Sequence, residues 1–254
     1  MLADVRVLRP PPPFEGLWLD TERGALQALF DALRSHLIGY SVELHKHTLR
    51  YGLLSLVGPA ARSVLDNPAL AQQEHANIAQ RLAGAEVLLV STDVGVDVFC
   101  EADALATVRA ELERGGATPV SHAAVECLRV ERGRPRFGLD IDATTMPQEA
   151  GIHERAVSYS KGCYVGQETV ARLYWKGKPN RHLRGLRLSA AAGSGSELRN
   201  GDDVVGALGS VAMSPRLGPI ALALLRREVA PGQLLAVGDS AIHAEVVELP
   251  FADG

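Results

Sequence analysis

No apolar run in this 254-residue chain is long enough to span a bilayer. The opening MLADVRVLRPPPPFEG sets Asp4 and four prolines where a secretory signal would need its apolar segment. A cytoplasmic protein is therefore expected. Cysteine is scarce: Cys100, Cys127 and Cys163 are odd in number, widely spaced and free of any CxxC pairing. That excludes a disulfide framework and leaves no local cradle for zinc or an iron–sulfur cluster, so no metal ligands are assigned. An excess of positive charge is also missing. The formal charge of -4 argues against bulk binding to polyanions, which confines any nucleic-acid contact to a local patch. A Gly-rich phosphate loop, a G-x-S-x-G elbow, an HExxH element and internal repeats are absent as well.

What remains is the composition of an ordinary globular protein, 46% hydrophobic and 22% charged, long enough for two or three compact units. Up to about residue 120 the pattern alternates strand and helix. LADVRVLR and GLWLD read as strands. A helix capped by Asp20 or Thr21 follows to about Ile38, with Leu26, Leu29, Phe30, Leu33 and Leu37 on one stripe. SVELHK and LLSLVG read as strands, then come a short helix after Pro59 and a second helix from about Gln72 to Leu82. EVLLVST and VDVFC are strands, and Asp103 is placed as the cap of a helix to Glu113. This order predicts antiparallel sheets covered by helices, an α+β architecture.

From Ser121 a capped helix is predicted with Ala124, Cys127 and Leu128 facing inward, and Glu131 continues that apolar stripe. A carboxylate there needs a partner. It can accept two parallel hydrogen bonds from a flat heterocycle bearing an amino group beside a ring N–H, or it can pair with Arg134 or Arg136. Residues 133–160 read as a long irregular connection of the kind that often carries function. KGKPNR, Lys176 to Arg181, reads as a linker. HLRGLRLS, DVVGALGSVAMS, PIALALL, LLAVG and AIHAEVVELPF beyond it predict a small β-barrel or sandwich. The expected division is 1–175 and 176–254.

Three features bear on chemistry. In SYSKGCYVGQETVAR, Cys163 lies two residues from Lys161 and just before a helix start at Gly166. Both features lower a thiol's pKa, although a buried loop cysteine fits the same spacing. Arg172, Lys176, Lys178, Arg181, Arg184 and Arg187 occur without an intervening acid, interleaved with Tyr174 and Trp175. They form either a patch for a polyanionic tail or RNA, or a solvated linker. His45 and His47 share one face of a predicted strand, with no third ligand in view.

The run Lys161-Gly162-Cys163-Tyr164-Val165-Gly166-Gln167-Glu168 closely resembles the signature of the YgfZ family, folate-binding proteins related to the aminomethyltransferase (T-protein) of the glycine cleavage system. Leu128-Arg129-Val130-Glu131 with Gly133, Phe137-Gly138 with Asp140, and Pro147-Gln148-Glu149-Ala150-Gly151 are similar to that superfamily's central segment. Gly209-Ser210 and Leu249-Pro250-Phe251 are similar to its C-terminal barrel. The resemblance implies cloverleaf-like subdomains around a central cavity for tetrahydrofolate or a one-carbon derivative, plus the barrel. It implies Cys163 and Lys161 as the functional pair, Glu131 on the pterin, and Tyr164, Gln167, Glu168 and Arg172 beside the cofactor. It further implies a role in iron–sulfur cluster assembly or repair, with iron–sulfur enzymes as clients and, in some bacteria, tRNA modification. The alternative it implies is a folate-dependent aminomethyltransferase or demethylase using Asp4 as acid/base. T-proteins carry an aspartate pair where Ala3-Asp4 keeps one acid, which weighs against aminomethyl transfer. MLADVRVLR is similar to an interior segment of the relatives, roughly fifty residues into them, which implies further chain upstream of Met1.

Overall fold

The structure is a computed structural model that describes residues 1–251. The chain folds into two compact units: residues 5–21 with 26–120, and residues 1–4 and 22–25 with the chain from Ser121 onward. Each is built around antiparallel sheet.

The first unit centres on a four-stranded sheet in the order β3 (Tyr51–Val57), β6 (Gly95–Glu101), β5 (Ala85–Ser91), β4 (Asn77–Leu82). Its two central strands are apolar on both faces because both faces are covered. Val87, Leu89, Val96, Val98 and Cys100 pack with Leu65 of α2 (Ala61–Leu65) and with Val108 and Leu112 of α3 (Leu105–Arg114). Leu88, Val90 and Phe99 on the opposite face meet Leu8, Phe14 and Trp18 from the ribbon of β1 (Val5–Leu8) and β2 (Trp18–Thr21). Arg6 crosses that layer. It binds the half-exposed Asp20 at 2.7 Å and Asp97 at 2.6 Å, while Ser55 donates to the other Asp97 oxygen, so the largely buried charges of Arg6 and Asp97 are paired.

Several sequence expectations fail in this unit. Asp20 and Thr21 belong to β2, and α1 begins later (Leu26–Ser35); its apolar stripe is only half-buried. Residues 41–47 form no strand, since alternation supplies no pairing partner, and His45 and His47 stack at 5.8 Å in an exposed segment. Among the described residues no group of three His, Cys, Asp or Glu is arranged to hold a metal ion. The helix expected over Gln72 to Leu82 is β4. A two-residue turn at Ala83 and Gly84, both at positive φ, folds β4 onto β5, and that pairing overrides the helical propensity of Ala, Gln and Leu. Asp103 lies within a 3-10 turn, Ala102–Ala104, and caps nothing.

In the second unit α4 (His122–Glu131) is capped as expected, with the Ser121 hydroxyl accepting from the Ala124 N–H at 3.2 Å. Its buried residues are Cys127 and Val130; Ala124 is exposed. Val130 packs on Leu183, Ile220, Leu222 and Phe251. Residues 133–160 are largely irregular, interrupted by one turn of helix, α5 (His153–Ala156). After α6 (Gln167–Lys176) six strands close a barrel in the order β10 (Gly218–Arg226), β7 (Arg181–Leu188), β12 (His243–Val247), β11 (Leu234–Val237), β8 (Glu197–Asn200), β9 (Asp203–Ser214). Its core is Leu186, Leu198, Leu208, Leu225, Leu235 and Val246 with their neighbours. Closure removes every exposed sheet edge, which is why short strands suffice.

Candidate functional site

The segment Ser158 to Lys178 carries most of the residues singled out from sequence, and the second unit holds it from three sides. Gly166 caps α6 at φ +85°, a left-handed conformation that any side chain would strain. Gln167 closes the loop on itself: its N–H donates to the Tyr164 carbonyl at 3.2 Å, and its Oε1 accepts from the Tyr164 N–H at 3.3 Å. The Lys161 ammonium lies 4.7 Å from the centre of the Tyr164 ring. On the inner side, Gln148 donates to the Val170 carbonyl at 2.8 Å and to the Tyr159 hydroxyl at 3.3 Å, and Tyr159 stacks on Tyr174 at 3.8 Å. Burial, with Tyr164 and Tyr174 nearby, raises the Tyr159 pKa and keeps its phenol neutral. Below, Glu149 pairs with Arg181 at 2.9 Å, accepts from the Met146 N–H and, through its backbone carbonyl, receives the Leu183 N–H. This fastens the PQEAG turn to β7. Burial alone would raise the Glu149 pKa; Arg181 and the Met146 N–H reverse the sign and lower it.

This fixed loop presents Cys163 to solvent, while Cys100 and Cys127 are buried. Burial pushes the Cys100 thiol up, assisted by Asp103. Burial also raises Cys127, assisted by the Glu131 carboxylate it faces at 3.7 Å. Two of the three thiols are therefore protected both sterically and electrostatically. A thiol-disulfide reagent should titrate one cysteine in the native protein and three after unfolding; rapid reaction of two native thiols would contradict this arrangement. Lys161 is engaged with Tyr164, and among the described residues no hydrogen bond joins it to Cys163. Glu168 is exposed in the first turn of α6, and Asp4 lies half-buried ahead of β1.

Glu131 meets partners that the sequence did not indicate. Its Oε1 accepts from the Ser214 hydroxyl at the end of β9 at 2.6 Å, and its Oε2 pairs with Arg216 of the turn that follows at 3.2 Å. The Ser214 hydroxyl accepts in turn from the Arg216 and Leu217 N–H groups, so the carboxylate also orders that turn. Burial would raise the Glu131 pKa, but Ser214 and Arg216 outweigh it and the group is held ionised, below its ordinary value. Arg136, one of the two partners expected for Glu131, pairs with Glu126 and Glu22 instead.

Beside Glu131 on α4, Arg129 enters a buried cluster. It donates to Glu126, to Asp140 at 3.0 Å and to the Ser210 hydroxyl; Asp140 further accepts from the Ser210 N–H at 2.6 Å and the Arg136 N–H at 2.8 Å. Gly209 is required here because a Cβ would stand 2.5 Å from an Asp140 oxygen. An open cavity of about 430 Å³ lies in the same unit, against α6. Arg172, Lys176 and Lys178 line it, with Met146 and Leu173 as apolar wall; Glu131 and Cys163 do not. Ser214 and Arg216 had no recognisable signal in sequence, since their partner Glu131 lies 83 and 85 residues away; Arg129 and Glu149 lay in segments marked by the resemblance, but their partners Asp140 and Arg181 were not legible.

A helix-covered antiparallel sheet followed by a closed six-stranded barrel defines a fold of the aminomethyltransferase class. The chain belongs to the family of the GCVT N-terminal domain, which matches residues 14–161, and the glycine cleavage T-protein C-terminal barrel domain matches residues 181–253. It is 30% identical over 219 residues to an aminomethyltransferase of Halothermothrix orenii, covering 79% of this chain and 61% of that protein. It is 29% identical to one from Rubrobacter xylanophilus (86% and 61%) and 27% identical to a putative chloroplastic transferase of Arabidopsis thaliana (89% and 54%). The chain thus spans less than two thirds of the length of these relatives. The fold is shared with the glycine cleavage system aminomethyltransferase T of Bartonella henselae, at a TM-score of 0.78 and 24% identity over 100% of this chain and 73% of that one. No helix among the described residues is long and apolar enough to cross a membrane.

Proposed function

We propose that this chain is a YgfZ-type member of the family, which binds tetrahydrofolate or a one-carbon derivative and supports the assembly or repair of iron–sulfur enzymes through Cys163. The observation that carries the proposal is the isolation of one exposed thiol on a loop fixed by Gly166, Gln167 and Tyr164, while the other two cysteines are buried. A protein that only folded around its cysteines would have no use for that contrast.

In this reading Glu131 receives the pterin head on its Oε2 side, beside the Ser214 hydroxyl that occupies Oε1. Its Arg216 partner must turn away, and Arg216 is 57% exposed in its side chain against 13% for Glu131. An ion pair at such a surface position is worth about 0–1 kcal/mol. A doubly hydrogen-bonded, charge-assisted contact to an amino-substituted heterocycle is worth more, at about 1.5–3 kcal/mol for each hydrogen bond to a charged group. On this reading the ligand's hydrogen bonds to Oε2 take the place of the Arg216 ion pair. Calorimetry of tetrahydrofolate binding tests this. Glu131→Gln should weaken binding by about tenfold or more, and Arg216→Ala should leave it equal or tighter, since it removes a competitor. Unchanged affinity in Glu131→Gln would sink the pterin contact.

The second reading, folate-dependent aminomethyl transfer or demethylation with Asp4 as acid/base, is supported by the names of the relatives. Formation of methylenetetrahydrofolate from a methylated amine, lost in Asp4→Asn, would favour it over the first.

A further inference from the structure

We infer that the cavity against α6 is a binding site for an oligoanion, a ligand carrying at least two phosphate or carboxylate groups. Arg172 and Lys176 project from one face of the helix, four residues apart, and Lys178 follows its end, so three cations border one hollow. None of the three makes an ion pair with any described residue. The acid in the wall, Glu149, is buried and already neutralised by Arg181 at 2.9 Å, which leaves the positive field of the rim unopposed. Lys176 in the last turn has an alternative explanation, since a cation there complements the helix dipole. Arg172 in the middle of the helix and Lys178 beyond it do not.

The neutral groups around the rim point the same way. Thr169 and Asn180 add hydroxyl and amide donors, and Arg172 supplies the planar fork that grips two oxygens of one carboxylate or phosphate. Met146 and Leu173 give the site an apolar side, so the ligand's anionic groups belong to a scaffold with some carbon surface. The volume of about 430 Å³ lies within the range of small-molecule sites, about 300–1,000 Å³. Three like charges held together repel one another, and a bound oligoanion relieves that repulsion. The structure separates this hollow from the two aromatic residues that suggested RNA: neither Tyr174 nor Trp175 lines it.

Calorimetry at low salt with two probes, inorganic tripolyphosphate and a triglutamate peptide, distinguishes the sources of the anion. Saturable one-site binding of either is expected, stronger for the chemistry the site was built for. Arg172→Ala and the pair Lys176→Ala with Lys178→Ala should each weaken it by about tenfold or more, and rising salt should weaken it in the wild type. These side chains are exposed, so the variants should keep the native melting transition. Arg81→Ala, which removes an exposed cation of the other unit, should change nothing. Failure of both probes to bind at millimolar concentration would overturn the inference. Equal losses in Arg81→Ala, or retention of tRNA but of neither probe, would do so as well. The inference goes beyond the folate reading: oligoanion binding should survive Glu131→Gln, so the failure of one leaves the other standing.

Discussion

Asp140→Ala should destabilise the barrel-containing unit by about 3–5 kcal/mol, the range for breaking a buried charge pair by removing one partner. The Asp140 side chain has no solvent exposure, and its two oxygens receive the Ser210 N–H, the Ser210 hydroxyl, the Arg136 N–H and the Arg129 guanidinium. Alanine would leave the Arg129 guanidinium, itself 14% exposed, with the more exposed Glu126 as its remaining counter-charge and would orphan a backbone N–H between β9 and the 136–142 turn. The loss far exceeds that from any single surface pair in the molecule, such as Arg50–Glu101. Denaturant titration followed by circular dichroism checks it, with Asp140→Asn as the gentler variant that keeps one acceptor oxygen. A loss below about 1 kcal/mol would mean that the cluster is incidental to folding.

The largest functional effect is expected at Cys163. In a strain lacking this gene, Cys163→Ala should restore no iron–sulfur enzyme activity, whereas Cys100→Ala and Cys127→Ala should restore as much as their stability permits. Tetrahydrofolate affinity should be nearly unchanged in Cys163→Ala, since no bond in the structure ties the thiol to Glu131 or to the α6 cavity. That split between binding and rescue separates a chemical thiol from one that merely packs. Full rescue by Cys163→Ala would remove the thiol from the mechanism.

The candidate site was legible in proportion to how local its parts are. The Ser121 cap, the start of α6 at Gly166 and the loop Lys161 to Glu168 lie within one short stretch each, and their geometry follows from residues three or four positions apart. The same holds for the barrel strands, whose alternation and Gly, Asn and Pro boundaries are written along the chain. Glu131 shows where such reasoning stops. Its position on the α4 stripe marked it as needing a partner, and nearby arginines were the obvious choice. The turn after α4 carries Arg136 to Glu126 and Glu22, and the end of β9 with the turn that follows delivers Ser214 and Arg216.

Local sequence by itself determined the capping of α4, the glycine at the head of α6 and the thiol-bearing loop, because each depends on backbone sterics and neighbours within one or two turns. Only the tertiary structure decided that Asn77–Leu82 is a strand, that two cysteines are shielded and one is not, and which charges are paired. Those outcomes depend on which segments meet across the sheet and the barrel, where burial and Coulombic pairing join residues far apart along the chain and outweigh the weak preferences of any single stretch.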